Sequence, residues 1–184
     1  MSSLNKIFTL FCPSQKCRAT LKDCSYDKTN GVYLTDSNIV VLNFDEIKRE
    51  YTQRLHVSEG GLCSVDALFQ IRNTLFFIEF KNRPFSKSLS KEVKKKISDS
   101  VLLYLDMTDG RLTTFRENSE FILVYSDNSG LAEIRNSILA KADEELIEGD
   151  FSLLENLIFR KVHTYNETSF RNFIKKNGSM IKIS

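Results

Sequence analysis

Tryptophan is missing from this chain, and proline and histidine occur only twice each. His56 and His163 are isolated in the sequence and read as ordinary surface or satisfied histidines. The four cysteines offer no replacement centre. Cys12-x4-Cys17-x6-Cys24 is not a standard zinc spacing and no histidine lies near it; Cys63 stands apart. Reduced structural thiols are expected. No apolar run approaches the ~20 residues of a membrane span, and the apolar stretch 7–12 is too short for a secretory leader. The expectation is a cytoplasmic protein with no membrane partner. Charge of one sign is also lacking: 26 Lys and Arg face 24 Asp and Glu, a net of +2. That balance implies no polyanion partner unless a basic patch gathers locally. Repeats, linkers and low-complexity segments are absent too.

What is present suits a compact core. With 184 residues, 41% hydrophobic, the chain reads as one α/β domain, and fourteen phenylalanines imply a Phe-dominated interior. Residues 4–11 read as a strand or short helix ended near Pro13. The stretch 14–30 is polar and closes on the turn signal Asn30-Gly31. Residues 32–34 and 39–42 read as short strands, forming a hairpin or an N-terminal extension over 1–42 packed on the core. Asn43 suits an N-cap, with Glu46 three residues on. The helix it starts runs to about Arg54, with Phe44, Ile47, Tyr51 and Leu55 as its apolar stripe.

The stretch 64–81 organises the rest. Two apolar, β-branched and aromatic runs flank Arg72-Asn73, a hairpin signal. Side chains alternate along a strand, so Asp66, Leu68 and Gln70 share one face, and Val65, Ala67, Phe69 and Ile71 the other. On the second strand Leu75, Phe77, Glu79 and Lys81 share a face. A two-residue loop, with Asn73 tolerating left-handed backbone, sets Asp66 opposite Glu79. Two facing carboxylates repel, and burying them unpaired costs several kcal/mol, to order of magnitude. A hard divalent cation between them removes the conflict. Lys81 projects from the same face, where it can orient water or stabilise phosphate charge.

Asp66, about a dozen residues, then Glu79-Phe80-Lys81 on adjacent strands, followed by a helix: on these residues the chain resembles the PD-(D/E)XK nuclease superfamily, with Val65 where the name has proline. The resemblance implies a restriction-endonuclease-like α-β-β-β-α-β core, with a mixed central sheet flanked by helices. It places the core at 43–125, completed by helices and a strand over 126–184. It also implies phosphodiester hydrolysis with Mg²⁺ or Mn²⁺ held by Asp66 and Glu79, and a homodimer as one quaternary arrangement. The helix before the hairpin often carries a further glutamate in that family. Glu50 is the candidate, with Glu46 the runner-up.

Beyond the hairpin, Asn82-Arg83-Pro84 stop the strand, 86–89 read as loop, and Ser90 caps a helix over 91–107. Val93, Ile97, Val101 and Tyr104 form its stripe, widened by Leu102, Leu103 and Leu105. Ser100 is small enough for close approach to a sheet. Arg83, Lys87, Lys91, Lys94, Lys95 and Lys96 crowd its start, where the helix dipole disfavours cations. A phosphate backbone is the natural counter-charge, DNA before RNA. The resemblance also implies a helix residue that reaches the site, Lys95 or Lys96. Residues 108–118 read as a polar connection and 121–125 as a central parallel strand. Leu131, Ile134, Ile138, Ala142 and Leu146 mark an amphipathic helix and 150–159 a short one. Residues 161–165 read as a strand, and Asn166 caps a last helix with Phe170, Phe173 and Ile174 inward. The alternatives are a catalytically inactive nuclease-fold module serving protein binding or immunity, and a domain that dimerises through its Phe-rich strands.

Overall fold

A computed structural model describes residues 3–12, 16–84, 86–126 and 151–183. The elements are α1 Ser3–Phe11, β1 Arg18–Thr20, α2 Leu21–Cys24, β2 Tyr26–Asp27, β3 Val32–Tyr33, β4 Val40–Asn43, α3 Phe44–Arg54, β5 Ala67–Ile71, β6 Thr74–Lys81, α4 Lys87–Thr108, α5 Leu112–Asn118, β7 Ser119–Tyr125, β8 Lys161–Asn166, α6 Glu167–Asn177 and β9 Ile181–Lys182. Seven strands form one mixed sheet in the order β1-β4-β5-β6-β7-β8, with β9 on β5. The β1, β4, β5, β6 and β9 pairings are antiparallel; β6-β7 and β7-β8 are parallel. The α4 crossover is what allows β7 to run beside β6 in the same direction.

Helices flank both faces. On one, α1, α3, α4 and α5 pack on Leu42, Leu68, Leu75, Phe77, Phe121 and Leu123. Phe77 is a hub there: its ring centroid lies 5.9 Å from Phe44, 5.6 Å from Tyr104, 5.4 Å from Phe115 and 5.7 Å from Phe159. On the other face, Leu21 of α2 and Phe170 of α6 cover Ala67, Phe69, Phe76, Ile78, Phe80 and Ile122. This is the Phe-rich interior that the composition implies.

Several local expectations change. Residues 32–33 and 40–43 do not pair with each other: β3 pairs with β2 in a separate two-stranded ribbon, and β4 lies between β1 and β5. Residues 4–11 are helical, and Leu4 and Ile7 are fully buried. Helix α4 starts at Lys87, because Ser86, not Ser90, accepts from Leu89 N. Ser90 is buried inside it, and Leu102 points outward, 63% exposed. Residues 112–118 are helical, with Phe115 as the one buried anchor of α5. No helix spans 150–159, contrary to expectation: Phe151 is helical, but 152–159 form turns and one isolated bridge, Glu155 to Phe159. Cys12 and Cys17 are joined as a disulfide with Cα atoms 5.9 Å apart, not held as reduced thiols; Cys24 and Cys63 are free. The amphipathic stripe from Leu131 to Leu146 lies outside the described residues. Among those described, no helix is long and apolar enough to cross a membrane.

Candidate active site

The β5-β6 hairpin has the two-residue loop expected, with Ile71 opposite Thr74 and Ala67 opposite Ile78. Arg72 carries the left-handed backbone at φ 55°; Asn73 does not. The register fails at one residue. Asp66 N–H donates to Ile78 O at 3.0 Å, although Ile78 is already the partner of Ala67. Two residues therefore face one, which is a β-bulge. The bulge turns Val65 into the cluster of Leu68 and Phe77, away from Ala67. It also re-aims Asp66, whose Oδ2 accepts from Phe80 N at 2.6 Å.

Glu79 and Lys81 project from β6 on the α4 side. Glu79 is fully buried, and two ammonium groups reach its Oε1: Lys96 at 2.6 Å and Lys81 at 2.8 Å. These contacts are ionic rather than well-directed hydrogen bonds, and Oε2 is buried with no hydrogen-bond partner. Lys96 also lies 3.5 Å from Asp66 Oδ1, so it bridges the two carboxylates. Lys81 is held on its other side by Glu92 at 2.6 Å, and Glu92 in turn pairs with Arg83. Helix α4 sits close enough for this because Ser100 is small: its Oγ accepts from Val65 N at 2.9 Å.

The charges act on one another. Burial, then the Glu79 charge, push the Asp66 carboxyl above the ordinary carboxylate range; Lys96 and the Phe80 amide pull back only in part. Burial works against the charge on Lys81 and Lys96, but Glu79 outweighs it and holds both ammonium groups above their usual pKa. The cluster opens into a cleft of about 600 Å³ whose walls include Asp45, Asp66, Lys81, Arg83 and Glu92. Cys24 lines it as well. Burial and the charges of Asp66, Asp23 and Asp45 push its thiol up to about 12, so it is no thiolate nucleophile.

Of the helix acids, neither Glu50 nor Glu46 lines this cleft. Glu46 pairs with Arg49 on its own helix. Asp45 does line it, one residue after Phe44, because the Asn43 cap starts α3 beside the bulge. Ser64 Oγ donates to Asp45, and Phe44 N bonds Asp66 O at 3.0 Å. Sequence reasoning passed over Asp45; its position in the turn after a cap, next to a strand end, was the available signal. The basic residues divide. Lys96 faces the carboxylates, while Lys95 turns to Asp99 at 2.7 Å and Cys63 Sγ at 3.3 Å. Lys94 lies over the Phe151 ring, and Lys87 and Lys91 are exposed.

Among the described residues no three His, Cys, Asp or Glu side chains converge as a ready metal cage. Mg²⁺, however, is commonly held by one or two carboxylates, with water and phosphate completing the shell. Asp66 and Glu79 supply two carboxylates, with Glu79 Oε2 buried and unpartnered, but Lys96 stands between them, so a cation would have to displace its ammonium group. Compared with known proteins, the chain matches no family model, no curated protein and no solved structure.

Proposed function

We propose that this protein is a metal-dependent nuclease of the PD-(D/E)XK kind that hydrolyses phosphodiester bonds, in DNA before RNA. The observation that carries the reading is the buried meeting of Asp66 and Glu79 with Lys81 and Lys96 at the edge of an open cleft. The element order supports it. Helix α1, the antiparallel strands β4, β5 and β6, then α4 and the parallel strand β7 follow the α-β-β-β-α-β succession, with β1, α2, β2 and β3 standing between α1 and β4, α3 between β4 and β5, and α5 between α4 and β7.

In this reading Asp66 and Glu79 hold Mg²⁺ or Mn²⁺, which when bound supplies water activation and neutralises charge building on the phosphate. Lys81 directs its ammonium toward the attacking water or a phosphate oxygen in the cleft. Lys96, behind it, holds Glu79 in place through its 2.6 Å contact with Oε1. Arg83, Lys87 and Lys91 meet the phosphate backbone, fixing the strand without reading sequence.

One observation favours the inactive-module alternative. Lys81 is already spoken for by Glu79 and Glu92, as expected of a site turned into a salt-bridge network. The unpartnered Glu79 Oε2 and the open cleft weigh against it. The decisive experiment is cleavage of single- and double-stranded DNA and RNA with Mg²⁺, Mn²⁺ or EDTA, by wild type, Asp66→Asn and Lys81→Ala. Metal-dependent cutting lost by at least 100-fold in both variants is expected. A folded wild type that neither cuts nor binds Mn²⁺ by calorimetry sinks the reading.

A further inference from the structure

The cleft that Asp66 lines is also walled by a feature that the hydrolytic reading does not use. Strands β2 and β3 form a small ribbon carrying Tyr26 and Tyr33, 42% and 48% exposed, with ring centroids 4.6 Å apart and planes tilted by 32°. Neither ring belongs to either core cluster. Lys22 Nζ lies 5.0 Å from the Tyr33 centroid, so Tyr33 is engaged by Lys22 and Tyr26 together. Of these two rings it is Tyr26 that lines the cleft, with Asp66, Phe80, Lys81 and Arg83 among the other walls.

The ribbon is built to hold this position. Asp27 accepts from Thr29 N at 2.9 Å, Asn30 N at 3.3 Å and Asn30 Nδ2 at 2.6 Å, and Gly31 takes φ 67° to close the turn. A fourth bond ties it to the site: Asn82 Nδ2, one residue past Lys81, donates to Asp27 Oδ2 at 3.0 Å. Lys28 at the tip also lines the cleft and makes no ion pair with any described residue. An exposed aromatic ring, backed by a second ring and held at the rim of a cleft that carries free cationic charge, matches a nucleobase attached to a phosphate. In a duplex both base faces are covered by stacking, whereas an unpaired base offers a face to an aromatic side chain.

We infer that the substrate strand is unpaired at the site, with one base stacked on Tyr26, and with Lys28 and Arg83 meeting its phosphates. Tyr33 and Lys22 act as positioning residues behind Tyr26. The inference rests on the proposed hydrolytic site for where the scissile phosphate sits, but stacking is measurable without cleavage. The test is fluorescence anisotropy of labelled oligothymidylate, oligouridylate and a blunt duplex of equal length, with Ca²⁺ and with EDTA. Tyr26→Ala is expected to weaken single-strand binding about 10-fold, with Tyr26→Phe restoring it and duplex binding unmoved. The two single-strand arms tell DNA from RNA. Near-UV circular dichroism verifies that Tyr26→Ala is folded. Wild type preferring duplex or binding no single strand, or equal affinity of wild type and Tyr26→Ala, overturns the inference. Cleavage measured in parallel separates the two readings. Tyr26-dependent binding without cutting leaves the stacking site and removes hydrolysis; cutting without Tyr26 dependence does the reverse.

Discussion

Lys96 Nζ lies 2.6 Å from Glu79 Oε1, joining the middle of a long helix to the most deeply buried charge of the site. Lys95, its chain neighbour, is turned by one helical step to Asp99 instead. The pair sets how the acidic cluster is tolerated. Removing one partner of a buried pair commonly costs about 3–5 kcal/mol.

Lys96→Met should therefore lower stability in urea melts, by about 2–3 kcal/mol because Lys81 still reaches Glu79. Adding Glu79→Gln should recover much of that loss. A neutral Lys96→Met would mean that the pair does not hold the cluster.

Ser100→Ala leaves the Val65 amide buried without its acceptor. A loss of about 1–3 kcal/mol is expected. Ser100→Thr, which keeps the hydroxyl, should separate hydrogen bonding from packing by comparison of thermal midpoints.

At the far end of the sheet, Glu120 accepts from Arg160 Nε at 3.1 Å and bonds His163 Nε2 at 2.7 Å. Burial works against its charge, but His163 and Arg160 hold its pKa below the ordinary 4.5. The folded state then resists protonation more than the unfolded chain. The stabilisation is complete above 4.5 and fades as pH falls through the lowered folded value. Glu120→Gln should cost about 1–2 kcal/mol at neutral pH and flatten the acid limb of the stability curve. Parallel limbs for the two proteins would exclude this role.

The Cys12–Cys17 bridge closes a sequence separation of 5 between α1 and β1. Such a short loop gives modest unfolded-state restriction, so dithiothreitol should lower stability by about 2 kcal/mol. Cys12→Ser should show the same deficit and no further response to reductant.

The central hairpin was legible in the sequence because alternation and a polar break fix a register by themselves. The caps of α3 and α6 were legible for a similar reason: Asn43 and Asn166 act locally, accepting from Glu46 N and Ser169 N. What escaped depends on contacts distant in sequence. Strands β1 and β9 are three and two residues long, too short for any period. Helix α5 buries only Phe115, so it offers no stripe. The bulge at Asp66 arises from Ile78 facing both Asp66 and Ala67, which no residue type announces. That bulge carries Asp66 out of direct opposition to Glu79, and Lys96 takes up the space between them. The disulfide escapes the sequence because Cys12 and Cys17 carry no pairing signal of their own; their approach depends on how α1 and β1 are placed.

Strand β5 is completed along one edge by two segments from opposite parts of the chain. β4 pairs at Ala67 and Leu68, and β9 at Gln70 and Ile71. During synthesis the first half of that edge can close as soon as β5 leaves the ribosome, since β4 precedes it. The second half must wait for β9. Until then the Gln70-Ile71 backbone is an open template for a stray strand, and a nascent chain stalled before β9 would be the species most prone to pair with its neighbours.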